Sequence, residues 1–154
     1  VWLAVRREIK NSNEFEYLIG KRLKNPFYGV KGFITGKLEY GESVYEGAKR
    51  ELMEEAGLKG EPKLIHIQHY TNKDEATDLV IEDKFFFLCL IDNPVGEVVQ
   101  NNEVELEWMV EADFKNKIRK TAGSIDEFLR IIKLTKKSDG NITFSEKQMY
   151  PKNF

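Results

Sequence analysis

The sequence predicts an α/β or α+β layered domain, with strands interleaved with a small number of helices. Short apolar or alternating runs of strand length recur along the chain, with few helical stripes between them. The chain has 154 residues, 41% of them apolar and ten of them phenylalanine, which is material for a real core. Compact domains commonly run about 100–150 residues, so residues 1–154 are expected to form a single domain. The longest apolar run, Phe85–Ile91, is strand-sized and far short of the roughly 18 residues a membrane span needs. One cysteine excludes an intramolecular disulfide framework and suggests a reduced, cytoplasmic setting. A net charge of −2 gives no reason to expect nucleic-acid or membrane partners. No signal peptide is read, and a chain that opens on Val1 inside a strand pattern is expected to have residues ahead of it.

Taken in order, Val1–Arg6 and Phe15–Arg22 read as strands around the polar turn Asn11-Ser12-Asn13. Asn25-Pro26 and Gly29 mark a loop, followed by a short extended piece ending near Ile34. Residues 35–42 are loop-like, and Ser43 to Ala56 is helical, with Gly57 as its stop. Leu64–Tyr70 and Ile81–Ile91 read as strands around a charged turn at Asn72–Asp78. Val104–Val110 alternates strictly, with Glu103, Glu105 and Glu107 on one side and Val104, Leu106 and Trp108 on the other. The tail reads as a helix. Ser124 and Glu127 have capping-box spacing, and Ile125, Phe128, Leu129 and Ile132 form one apolar stripe. Lys133, Lys136 and Lys137 suit its C-terminal dipole, and Asp139-Gly140 ends it.

The chemistry concentrates in residues 36–58, GKLEYGESVYEGAKRELMEEAGL. Ser43 and Glu46 form a capping box at the helix start. Tyr45, Ala48, Leu52 and Ala56, with Val44 beside them, are expected to face the core. The adjacent face carries Gly47, Glu51, Glu54 and Glu55. Like charges at i,i+3 and i,i+4 repel by a few tenths of a kcal/mol per pair. Carboxylates near a helix C-terminus also oppose the macrodipole at about 0.3–1 kcal/mol each. Arg50, reaching Glu46 and Glu54, offsets only part of this, and Gly47 costs about another 1 kcal/mol relative to Ala. A Glu-rich face is ordinarily solvated surface. A divalent cation would instead turn the repulsion into attraction, and hard carboxylate oxygens suit Mg²⁺ or Mn²⁺.

Gly36, five residues, Glu42, seven residues, then Arg50-Glu51-Leu52-x-Glu54-Glu55-x-Gly57-Leu58 resembles the Nudix box at every position. A chance match of seven identities and two aliphatic positions is on the order of one in a million per chain. The resemblance is tight within the box and loose, through element order only, elsewhere. It implies a mixed sheet sandwiched between helices and a pyrophosphohydrolase acting on a nucleoside diphosphate linked to another moiety. By similarity, Glu51, Glu54 and Glu55 hold the metal, together with the backbone carbonyl of Thr35. Arg50 orients the carboxylates, Glu42 braces its loop, and Gly36 and Gly57 serve as turn residues. The catalytic base is Glu51 or a later glutamate, with Glu103 as the candidate and Glu105 as the alternative; both also fit the solvent face of a strand. One departure stands out. The family often has Pro-Gly-Gly where this chain has Ile34-Thr35-Gly36, and Thr does not easily adopt positive φ.

Nucleoside triphosphates, including oxidised ones, are the default substrates. The family's downstream cues for ADP-ribose (Pro) and dinucleoside polyphosphates (Tyr) are not met by Lys73, Asp74 and Glu75, although those substrates remain alternatives. A non-catalytic nucleotide-sensing module is the rival from another class; such proteins usually lose box glutamates, and this chain keeps all of them. Isomerisation of isoprenoid diphosphates would need a reactive Cys and His near the site, for which Cys89 in mid-strand is poorly placed. A small-molecule nucleotide is the expected partner, and a homodimer is allowed. His66 and His69 fall on opposite faces of a strand and cannot share a metal. Trp2 and Trp108 read as core. Phe27, Tyr28, Tyr40 and Tyr70 are aromatics in or near loops, any one of which is a candidate to stack on a base, and Arg22, Lys24, Lys31 and Lys37 fit either phosphate contacts or ordinary solvated surface.

Overall fold

A computed structural model describes residues 1–25, 27–117, 125–135 and 141–150. The strands are β1 (Trp2–Glu8), β2 (Phe15–Arg22), β3 (Lys31–Gly32), β4 (Ile34–Thr35), β5 (Pro62–Lys73), β6 (Val80–Asp92), β7 (Val104–Val110) and β8 (Thr143–Met149). The helices are α1 (Val44–Ala56), α2 (Glu111–Lys117) and α3 (Ile125–Thr135). The eight strands form one mixed sheet in the order β3-β2-β1-β6-β5-β8, with β7 beside β2 and β4 beside β1. The β1–β6 and β5–β8 pairs are parallel and the others antiparallel. The architecture is α+β.

Side chains alternate across the sheet because successive Cβ atoms point to opposite faces. Leu3, Val5, Leu18, Cys89 and Ile91 bury against Ala48, Leu52 and Ala56 of α1. Ala4, Tyr17, Ile19, Leu88 and Leu90 bury against Phe114 of α2 and Ile125, Phe128, Leu129, Ile131 and Ile132 of α3. The sheet is therefore covered on both faces. This explains why β1 and β6, at its centre, read as continuous apolar runs rather than alternating ones.

The sheet forks next to the acidic helix. The last residues of β1, Arg6–Glu8, pair with Phe15–Tyr17 of β2. The first residues of β1 pair instead with β4, Trp2 opposite Thr35 and Leu3 opposite Ile34. The far half of β2 turns to β3, with Gly20 opposite Gly32. Between the diverging strands lies a cavity of about 510 Å³.

Several sequence expectations need correction. Tyr45 does not join the core stripe of α1 and is about half exposed. Val44 packs on the core instead, and Gly47 is buried beneath Leu38 and Glu42. Glu46 does not serve Arg50, because its carboxylate accepts from the backbone N–H and hydroxyl of Ser43 at 2.9 and 2.6 Å. The tail is not helical throughout. A short α2 precedes α3, and β8 follows as an edge strand. The buried stripe of α3 matches the sequence reading, whereas Ser124, Lys136, Lys137, Asp139 and Gly140 lie outside the described residues. No helix among the described residues is long and apolar enough to cross a membrane.

Candidate active site

The site is built on α1 and the chain leading into it. Ser43 caps the helix with a complete capping box, and Gly57 ends it in the left-handed conformation (φ 68°), its N–H donating to the Met53 carbonyl at 2.9 Å. Both ends are fixed, so the register of Arg50, Glu51, Glu54 and Glu55 is fixed too.

Arg50 is the hub of the acidic face. Its Nε and Nη2 donate to the two oxygens of Glu42 at 2.9 and 3.0 Å, a bidentate pair. Nη1 donates to Glu51 Oε1 at 3.0 Å and to Glu54 Oε2 at 2.9 Å, and Nη2 also reaches the Lys37 carbonyl at 2.8 Å. One guanidinium thus joins the approach loop to three carboxylates. Glu42 accepts further from the Glu39 N–H. With Arg50 as the leading cause, its carboxyl is held down at about 2. The guanidinium of Arg50 is correspondingly pushed above its ordinary value, first by Glu42.

Glu51 is 8% exposed and lies against the backbone of Gly36. A Cβ at Gly36 would come within 1.8–2.2 Å of the Glu51 carboxylate atoms. Gly36 does not have positive φ, so the need for glycine here is close approach and not a turn. Gly57, by contrast, is the turn residue that was expected. Thr35 needs no positive φ either: it closes β4 in extended conformation. Glu55, one turn beyond Glu51, lines the forked cavity with Thr35. Burial, ahead of the neighbouring carboxylates, raises its pKa above the ordinary carboxylate value. Glu54 is turned outward onto Arg50. Among the described residues no three acidic, His or Cys side chains stand close enough together to hold a cation between them.

Glu103 lines the same cavity and pairs with Lys24 at 2.5 Å, which holds its carboxyl below the ordinary value. Glu105 is paired with Lys21 at 2.9 Å and does not line the cavity. Of the loop cations, Arg22 and Lys24 line it, while Lys31 pairs with Glu107. Phe27 lines it among the loop aromatics, and Tyr28 and Tyr40 do not.

A family model described as NUDIX domain matches residues 2–130. The chain belongs to the Nudix hydrolase family. Nudix hydrolase 6 of Arabidopsis thaliana is 29% identical over 118 residues, 74% of this chain and 41% of that protein. The chain thus spans about two fifths of the length of that curated relative. The MutT protein of Bacillus halodurans has the same fold, with a TM-score of 0.71 and 20% identity, covering 97% of this chain and 89% of that one. The NUDIX domain of Shewanella oneidensis NrtR, solved with ADP ribose, superposes with a TM-score of 0.65 at 14% identity, over 89% of this chain and 85% of that one. At these identities the two structures speak to the fold.

Around the Nudix box lie residues the sequence did not flag. Asn101 donates to the Glu55 carboxylate (3.3 Å) and carbonyl (3.2 Å), while its Oδ1 accepts from the N–H groups of Glu103 and Val104, each at 2.8 Å. It latches the end of α1 to the start of β7. The only sequence signal was a run of amides, Gln100-Asn101-Asn102, ahead of a strand. Trp2, read as core, is half-buried and forms a wall of the cavity. Trp108 packs on the α1 side of the sheet beneath Arg7, whose guanidinium carbon lies 4.2 Å from the ring centroid. His66 is buried between the hydroxyls of Thr143 and Ser145, at 2.8 and 2.9 Å, and pins β8 to β5. His69 pairs with Asp83. Cys89 is fully buried, and burial raises its thiol to about 11, far from a nucleophile's range.

Proposed function

We propose that this Nudix domain is a metal-dependent pyrophosphohydrolase that cleaves a phosphoanhydride bond of a nucleoside diphosphate linked to another moiety. The observation that carries the reading is the placement of Glu51 and Glu55. One is pressed against the backbone of Gly36, and the other is half-buried in the wall of a cavity whose lining includes Arg22 and Lys24. Burying carboxylates costs free energy unless something cationic meets them. Arg50 meets Glu51, Glu54 and Glu42 but not Glu55.

These residues fit Mg²⁺ or Mn²⁺. The donors are hard oxygens: the Glu51 and Glu55 carboxylates and the Thr35 carbonyl, with Glu54 one helical step away. A cation held there would supply charge neutralisation at the phosphates and acidity to a coordinated water. The remaining work falls to the chain itself. Arg50 holds the Glu51 and Glu54 carboxylates in register through its Nη1, and Glu42 keeps Arg50 in place. Arg22 and Lys24 draw a polyphosphate into the fork. Glu103, ionised beside Lys24 at the cavity wall, accepts the proton of the attacking water, which makes it a better-placed base than Glu105. Glu51 is the alternative base.

The test is product analysis over a panel of nucleoside triphosphates, including oxidised ones, ADP-ribose and dinucleoside polyphosphates, with Mg²⁺ and with Mn²⁺. A nucleoside monophosphate is the expected product. The double variant Glu54→Gln/Glu55→Gln should fall by orders of magnitude in rate while remaining folded. Unchanged turnover in that variant rejects the mechanism, and tight nucleotide binding with no product from the wild type marks a sensing module instead.

A further inference from the structure

Two histidines of β5 hold the edge strand β8 from opposite faces of the sheet. On the α3 face His66 is 3% exposed, with its ring between two hydroxyls of β8. Nδ1 is 2.8 Å from Thr143 Oγ1, and Nε2 is 2.9 Å from Ser145 Oγ. The Thr143 hydroxyl has one proton and donates it to the Ile65 carbonyl at 3.2 Å, so it accepts from His66. Nδ1 therefore carries the ring's proton. Nε2 is left to accept from Ser145, whose oxygen accepts in turn from the Gln68 amide at 3.4 Å. The chain of bonds is complete when His66 is neutral.

A second proton, on Nε2, would break that order and bring a charge into a buried joint. The charged groups facing it are Glu127 of α3 and Lys147 of β8, and these already pair with each other at 2.9 Å. From β6 the residue opposite is Leu88. On the other face His69 has the reverse need. Its Nε2 is 2.7 Å from Asp83 of β6 and its Nδ1 is 3.6 Å from Glu146 of β8. Phe85 stacks on the ring, with centroids 4.7 Å apart. A protonated ring attracts both carboxylates, whereas a neutral ring has one N–H between the two.

We propose that β8 is a releasable strap, held by two histidines that need opposite charge, His66 neutral on one face and His69 protonated on the other, so that acid loosens it. Release withdraws Lys147 and Met149 from the wall of a cavity of about 300 Å³, and Lys147 from Glu127. That cavity shares Trp2 and Lys84 with the forked one, so the strap closes one side of the region beside the fork.

The pH dependence follows from what each ring meets. Burial, with Glu127 opposing, holds the seated His66 below its ordinary value of 6.5. Below about 6.5 the released ring therefore takes a proton that the seated ring refuses, and the strap loosens. His69 is raised above 6.5, first by Asp83, with Glu146 adding. Asp83 stays beside His69 when β8 leaves, and Glu146 departs. The Glu146 attraction is thus present while His69 is charged and is lost as pH rises through its raised value. The strap is seated most firmly between these limits.

Hydrogen exchange of the β8 amides that pair with β5, corrected for the intrinsic rate, reads the release directly. Protection is expected to peak just above pH 6.5 and to fall several-fold by about pH 5.5, with about ten-fold per pH unit as the limit for one proton. His66→Gln keeps a donor and an acceptor without titrating and should remove the acid limb. His69→Gln should remove the shallower alkaline limb, which salt also weakens because that pair is exposed. Nitrogen-15 NMR of the imidazoles needs no variant, and His66 is expected as the uncharged Nδ1–H tautomer at about pH 7. A flat profile, the same profile in the central strand β1, or limbs unchanged in both folded variants overturns the proposal. So does a His66 found as the Nε2–H tautomer or as the cation at that pH.

Discussion

At Gly36 the site depends on an absent side chain. A methyl group there would occupy the space of the Glu51 carboxylate, which would have to leave its place beside Arg50. Glu51 can swing away without unpacking the core. Gly36→Ala is therefore expected to shift the melting temperature by no more than a few degrees while lowering kcat/KM on the order of 100-fold, the scale of an ångström-level misplacement. Near-wild-type turnover would mean that the position of Glu51 is not critical. Glu42 carries a pH signature. Its folded pKa, about 2 against an ordinary 4.5, is depressed by Arg50. The stability this gives is complete above the unfolded value and is lost as pH falls from about 4.5 towards 2. Glu42→Gln should therefore flatten the acid limb of a stability-versus-pH curve measured by urea unfolding; an unchanged slope would deny the pairing. The box residues were legible in the sequence because their relation is a spacing along one helix. The reason for Gly36 was not, because it is a tertiary approach between residues 15 apart in the chain, with nothing unusual in φ.

At the scale of elements, two strand ends meet α1: β4 behind Glu51 and β7 behind Glu55. Asn101 makes the second junction, holding Glu55 with one end of its amide and the backbone at Glu103 with the other. Asn101→Leu removes both sets of bonds at similar volume. It is expected to lower kcat while leaving far-UV circular dichroism unchanged, and Asn101→Asp, which keeps only the acceptor, should recover little. Full activity in both variants would show that the Glu103 segment needs no latch. Elements whose burial is written into their own pattern were legible: α1, α3 and the strands β1, β2, β5, β6 and β7. The misses have physical reasons. Among the described side chains of α2 only Phe114 is in the core, and its sequence EADFKNK carries no apolar stripe. Strand β8 is an edge strand with Lys, Glu and Gln along it, and its register comes from β5 and the His66 hydrogen bonds. No local pattern announces such a strand.

Considered whole, the molecule places one acidic helix beside a fork in a sheet that is otherwise closed by helices on both faces. The fork was beyond sequence reasoning, since it arises from which half of β1 pairs with β2 and which with β4. It makes the cavity, and the helix makes its charge. Carboxylates gathered at one end of α1, one of them raised in pKa by burial, are the feature on which the proposed divalent-cation site rests. The most direct measurement is the depletion of the free Mn²⁺ signal by electron paramagnetic resonance, titrated into wild type and into Glu51→Gln/Glu55→Gln. The account expects saturable binding by the wild type and at least a ten-fold weaker association in the variant, a difference of about 1.4 kcal/mol. Equal Mn²⁺ binding by both folded proteins, or none by the wild type in the presence of nucleotide, would contradict it.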